Sequence, residues 1–142
     1  MFRKRALRIE RFSSFYNNYL KISNKTYSDD DISECKTKYD LFVSGSDQVW
    51  GPGRDGVSPD GAYFLSFADD SQKFSYAASF GVTNISDAKA KDLKPLLDGF
   101  QTYSVREKSA LSIVKKVTGK DGVCHIDPTL LLSSDDWRKI SV

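Results

Sequence analysis

Short apolar runs that stop at small or polar residues, alternating with helix-patterned stretches, restrict this chain's fold more than any other feature. "YDLFVSG" (residues 39–45) is followed by "KFSYAASFG" (73–81), "TYSVRE" (102–107) and "GVCHI" (122–126). Runs of this length and make-up fit buried strands. "NISDAKAKDLKPLLDGF" opens on Ser86 as an N-cap and places acid and alanine in its first turn. Pro95 falls inside that pattern and predicts a kink or a break. "EKSALSIVKKV" is a second helix, with Leu111, Ile113 and Val114 on its inner side. Strand, helix, strand, helix, strand predicts an open, mainly parallel α/β sheet with flanking helices.

The remaining segments are less regular. "AYFLSF" (62–67) is aromatic-rich and reads as a further strand, while residues 51–61 hold four glycines and two prolines and read as loop. "YSDDDISECKTK" predicts a short helix capped by Ser28, and Ser134 is expected to cap a last helical turn, "DDWRKI". Residues 2–20 pattern as an amphipathic helix, with Phe12, Phe15, Tyr16, Tyr19 and Leu20 forming an apolar stripe for packing.

At 142 residues the chain is expected to form one domain with its own core. It has no apolar run near the ~20 residues that cross a bilayer, and no apolar signal core follows the basic "MFRKRALRIERF". A cytoplasmic protein is the expectation. Cys35 and Cys124 make neither a disulfide framework nor a zinc pattern and are read as reduced and structural. The net charge of +2 hides an excess in residues 1–25, where seven Lys or Arg face Glu10 alone. That excess suits either a solvated helix face or an anionic membrane surface. Nucleic acid is not expected, because no recognition motif accompanies the charge.

Ligands of open parallel sheets sit outside the carboxyl ends of the strands. The first run delivers Gly45, Ser46, Asp47 and Gln48 to that edge. The glycine allows a tight turn or a close backbone approach. Ser46 and Asp47 either cap a following helix or bond hydroxyls of a bound molecule.

"DLFVSGSDQVW", "YFLSF", "KFSYAASFG", "YSVREKSA" and "IDPTLLLSSDDW" occur in that order from about Tyr39 to Trp137. Together they resemble the polysaccharide pyruvyl transferase family, and the basic helix with "YLKIS" resembles the segment that precedes them there. The resemblance implies a Rossmann-like sheet, one half of a two-domain, glycosyltransferase-B-like architecture. It also implies transfer of pyruvate from phosphoenolpyruvate to a sugar of a cell-surface polysaccharide or its lipid-linked precursor, as a ketal, with no other cofactor. The chain departs from the family pattern at both ends. It lacks a "GxxNxGxxL" opening, and the arginines and histidine that bind phosphoenolpyruvate in the family's second domain have no counterpart. The expectation is a partial first domain (1–25 basic helix, 39–137 family core) that does not catalyse alone. A non-catalytic sugar- or nucleotide-binding module, or a glycosyltransferase of similar fold, is the alternative. Peripheral membrane association and a homo-oligomer, formed through an exposed sheet edge, are left open.

Pyruvyl transfer needs a cationic clamp for phosphate and carboxylate, an acid, and a base for the sugar hydroxyl. Asp47 is the first candidate, since a carboxylate grips vicinal hydroxyls; a loop brace is its other reading. Arg106 either reaches an anionic group or pairs with Glu107, which begins the next helix where the dipole favours a carboxylate. Ser79, beside Gly81, is small enough to admit a ligand to the backbone. The substrate-binding candidates are thus Gly45, Ser46, Asp47, Gln48, Ser79, Arg106 and Glu107, with the catalytic acid and base unassigned and no metal expected. Asp127 is read as fixing the "DPT" turn, and His125 as a buried or half-buried strand residue rather than a base. Trp50 is either a core anchor or a platform for a sugar ring.

Overall fold

The computed structural model describes residues 2–53 and 59–140. The middle of the Gly/Pro-rich stretch and the side chains of Arg3 and Lys4 lie outside the described residues. Residues Tyr27–Leu131 form one compact unit, and Met1–Thr26 with Leu132–Val142 form a second.

Within Tyr27–Leu131, strand β1 (Phe42–Ser44) pairs in parallel with β2 (Lys73–Ser75), matching Val43 to Phe74. Strand β3 (Ser104–Val105) pairs in parallel with β4 (Val123–Cys124). The two pairs are separate sheets, joined by an isolated parallel bridge between Ala78 and Val105. The class is α/β with small parallel sheets, as the alternation of runs predicts. The continuous sheet is interrupted because Ala77 takes φ 49, which no extended strand tolerates.

Serine hydroxyls replace the missing ladder at this seam. Ser75 Oγ accepts from Ser104 N at 2.8 Å and donates to Thr102 O, while Ser104 Oγ accepts from Ala77 N at 2.9 Å. Buried backbone groups need such partners.

Helix α2 (Asp87–Leu97) begins at Ser86, whose side chain accepts from Lys89 N as the sequence predicts. It runs unbroken through Pro95, which sits in the final turn, where the lost N–H costs one bond and little continuation follows. Helix α3 (Lys108–Thr118) ends on Gly119 at φ 73 and packs against α2. Ala90, Leu93 and Leu97 of α2 meet Ala110, Ile113, Val114 and Val117 of α3 in one core with Val105 and Phe100. Each such aliphatic side chain contributes roughly 1.5–3 kcal/mol on burial. Trp50 lies fully inside this core against Phe64, Phe80 and Phe100, so the platform reading fails.

Residues 61–67 are successive tight turns, not a strand. Phe64 N bonds Gly61 O and Leu65 N bonds Ala62 O, which drives Phe64 into the core and leaves Tyr63 exposed. The short 3₁₀ turn Ile32–Thr37 starts at Asp31 rather than Ser28; the Asp31 carboxylate instead accepts from Ser28 N at 2.6 Å.

In the other unit, α1 spans Phe2–Tyr19 and α4 spans Ser134–Ile140. Ser133, not Ser134, caps α4, accepting from Asp136 N. The predicted apolar stripe of α1 is exposed at Phe12, Tyr16, Tyr19 and Leu20, and only Phe15 is half-buried. No helix among the described residues is long and apolar enough to cross a membrane.

Candidate functional site

The carboxyl ends of β1, β2, β3 and β4 deliver residues 45–48, 76–81, 106–107 and 125–129 to one cluster of contacts. Gly45 is required where β1 ends. It sits at φ 134, and a Cβ there would collide with Tyr76 O and crowd Ala78 N. That close approach seats the next residues against the end of β2, where Ser79 N donates to Asp47 O at 3.1 Å and Trp50 N to Ser79 O at 3.0 Å.

Arg106, at the end of β3, ties the other three ends to its own. Its Nη1 donates to Ser46 O at 2.8 Å and to Asp127 Oδ2 at 3.2 Å, while its backbone N donates to Ala78 O. Ser46 Oγ also donates to Asp127 Oδ2, at 3.0 Å. The other oxygen, Asp127 Oδ1, accepts from Thr129 Oγ1 and Thr129 N at 2.7 and 2.9 Å. The Thr129 hydroxyl and backbone bonds, helped by Ser46 and Arg106, hold the Asp127 carboxyl well below the usual carboxylate range. Such a group cannot shuttle protons near neutrality. Asp127 is a brace, and it braces the rim as well as its own turn.

Ser79 and Glu107 form a second brace. Ser79 is buried, donates to Glu107 Oε1 at 2.8 Å and accepts from Gly81 N at 3.0 Å, so its hydroxyl is consumed inside the protein. Glu107 Oε1 also accepts from Phe80 N at 3.2 Å, and Oε2 lies 3.9 Å from Arg106 Nε. Glu107 is the N-cap residue of α3 without capping it through its side chain. These two candidates shape the rim and present little to a ligand.

Asp47 and Gln48 do face solvent. Asp47 Oδ1 accepts from Gln48 N at 2.7 Å, and no ion pair to this carboxylate occurs among the described residues. Asp47, Gln48, Val49 and Tyr63 line a cavity of about 420 Å³, within the range of small-molecule sites. Gly81, at φ 67, leaves room for the Gln48 side chain, which a Cβ would meet at 2.8 Å.

Reading the residues one by one misplaces His125 but not Cys124, which is free and lies in β4. Cys124 is exposed, and its Sγ donates to Arg106 O at 3.5 Å. His125 is exposed just past β4, not buried within a strand. Among the described residues β4 pairs only with β3, and its side chains reach solvent. The His125 ring stacks on Tyr76 with planes 7° apart and centroids 5.6 Å apart, and its Nδ1 lies 2.8 Å from Ser104 Oγ. No group of three or more His, Cys, Asp or Glu that could hold a metal ion occurs among the described residues.

The sequence model of the polysaccharide pyruvyl transferase family matches residues 2–142. The chain belongs to that family. The match is wider than the 39–137 stretch that carries the motifs and takes in the basic helix α1. No curated protein and no solved structure gave a significant match. Membership in the polysaccharide pyruvyl transferase family indicates a transferase whose acceptor is a polysaccharide. The rim of β1–β4 is where four short motifs of the sequence meet in space: "SGSDQ", "YAASFG", "VRE" and "DPT" all contribute to the bonds described above.

Proposed function

We propose that this chain serves a transferase that moves a pyruvyl group from phosphoenolpyruvate to a sugar as a ketal, and that its rim is the wall against which the acceptor sugar lies. Ketal formation joins two sugar hydroxyls to the central carbon of phosphoenolpyruvate and expels phosphate; one hydroxyl proton goes to the terminal carbon and the other to the departing phosphate. The protein must therefore orient two hydroxyls. One observation supports assigning that task here: the Asp47 carboxylate, bonded to Gln48 N through one oxygen and without an ion pair among the described residues, faces an open cavity on a loop held by the Arg106–Asp127–Ser46 bonds.

Charge argues against the donor at this place. Among the described residues Arg106 is the cation engaged in the cluster, and it is flanked by two carboxylates, Glu107 and Asp127. A further phosphate or carboxylate would meet net negative charge, whereas neutral hydroxyls can both donate to carboxylates and accept from the guanidinium. The cations that clamp phosphoenolpyruvate are expected from outside this rim, and the 142 residues alone are expected to bind sugar without turnover.

Titrating hexoses and oligosaccharides into the chain is expected to shift the NMR signals of Asp47 and Arg106, and titrating phosphate is expected not to. In the catalytically competent enzyme, Asp47→Ala abolishes ketal formation with the melting temperature unchanged. A large stability loss with transfer retained would make Asp47 a brace and refute the assignment. Sugar-dependent phosphate release by the 142 residues alone would refute the division of labour.

A further inference from the structure

We propose that His125 is a second sugar-contacting residue of this rim: its imidazole, held between Ser104 and Tyr76, presents Nε2–H as a fixed hydrogen-bond donor to a ring or hydroxyl oxygen of the acceptor. The inference rests on the sugar-wall reading above.

The orientation follows from counting the partners of one hydroxyl. Ser104 Oγ already accepts from Ala77 N at 2.9 Å, and its only other neighbour in hydrogen-bond contact is His125 Nδ1 at 2.8 Å. A hydroxyl carries one proton and two acceptor lone pairs. With no other acceptor in contact among the described residues, the Ser104 proton points to Nδ1. Nδ1 is then the acceptor, and the imidazole proton sits on Nε2. Ser104 is itself buried and held by Ser75 Oγ through its backbone N, so this proton has no freedom to turn toward water.

The ring is placed as firmly as the tautomer. One face is covered by Tyr76 and the Nδ1 edge by Ser104, so the exposure of His125 comes from the other face and the Nε2 edge. No hydrogen bond to Nε2 or to the Tyr76 hydroxyl occurs among the described residues. Tyr76 is also the residue whose carbonyl demands glycine at position 45, so the stack is anchored to the loop that carries Asp47. On the other side, the register that sets Val105 opposite Cys124 continues to set Arg106 opposite His125, with His125 N donating to Val105 O at 2.9 Å. His125 and Asp127 flank Ile126, and Asp127 is bonded to Arg106 and Ser46. An Nε2–H donor on this rim complements Asp47. The carboxylate accepts from sugar hydroxyls, and the imidazole donates to a sugar oxygen, while the open ring face suits the C–H face of a pyranose.

NMR on the intact 142-residue chain tests this in two steps. Long-range ¹⁵N–¹H spectra of the free protein in mildly alkaline buffer are expected to show a protonated Nε2 and a bare Nδ1 at His125; the reverse pattern would overturn the inference without touching the sugar-wall reading. Hexose and oligosaccharide titrations are then followed at Asp47, Arg106 and His125. His125→Phe keeps a ring on Tyr76 and removes the donor, and is expected to weaken sugar binding by about five- to tenfold, the size of one hydrogen bond. His125→Gln restores an N–H near the Nε2 position and is expected to recover part of that loss. Unchanged binding in His125→Phe, with Asp47→Ala still abolishing it, would remove His125 and leave the wall. Absence of sugar shifts anywhere on the rim would overturn both.

Discussion

The core, packed mainly between α2 and α3, and the rim at the carboxyl ends of the strands are built by opposite means. Leu93, Leu97, Phe100, Val105, Ile113 and Val114 are buried among apolar neighbours, and their positions follow from volume and periodicity. A few residues further on, the rim holds Ser46, Asp47, Arg106, Glu107, His125 and Asp127, whose positions follow from directed hydrogen bonds. Apolar packing tolerates repacking, whereas a hydrogen-bonded rim requires specific donors and acceptors at about 3 Å. Stability resides chiefly in the first region, and the proposed ligand contacts lie in the second.

The largest effect is expected in the core. Leu93→Ala, at a fully buried site in α2, is expected to cost about 2–5 kcal/mol in denaturant unfolding. Gly45→Ala comes next, at roughly 1–3 kcal/mol, because the added Cβ meets Tyr76 O and the backbone has positive φ. If Gly45→Ala were neutral, the close approach of β1 and β2 at the rim would be disproved. Ser79→Ala removes a buried donor to Glu107 and is expected to cost about 1–2 kcal/mol, with the Phe80 and Gly81 amide resonances moving.

Asp127 gives a pH signature the core cannot. Its carboxyl is depressed in the folded protein, so its stabilising contribution is complete above the unfolded-state value near 4 and falls away as pH drops toward the folded one. Chemical unfolding of Asp127→Asn below about pH 4 is expected to show a shallower loss of stability with acid than the parent chain. Equal slopes would mean that the bonds to Thr129, Ser46 and Arg106 do not persist in solution. The smallest effect belongs to Asp47→Ala, within about 0.5 kcal/mol by thermal unfolding, although ketal formation is lost. A core-sized loss there would erase the distinction between the two regions.

Much of this division is legible in the sequence. The Ser86 cap, the inner face of α3 and the existence of four parallel runs follow from periodicity and capping chemistry, which act within a turn or two of chain, although the strands are shorter than those runs and end at Ser44, Ser75, Val105 and Cys124. "AYFLSF" misleads because aromatic residues suit strands and buried turns alike, and only the Gly61 and Ala62 carbonyls decide for turns. Pro95 signals a break that its place in the last turn makes unnecessary. Arg106 and Glu107 are adjacent and suggest a brace on each other, yet their strongest partners are Ser46, Asp127 and Ser79, up to 60 residues away.

By itself the sequence determined the class of fold and which residues collect at strand ends, because helix and strand periods and caps are local properties of a chain. It also determined the family, through short motifs kept in order. Tertiary structure alone decided which rim groups are spent and which are open: Ser79 turned inward to Glu107, Asp127 locked by Thr129, Asp47 left facing a cavity, and His125 exposed on an edge strand. A hydroxyl or carboxylate has the same chemistry wherever it stands in a sequence. Whether it bonds the protein or a ligand depends on which donors the fold brings within 3 Å of it, and those come from strands 20 to 80 residues apart.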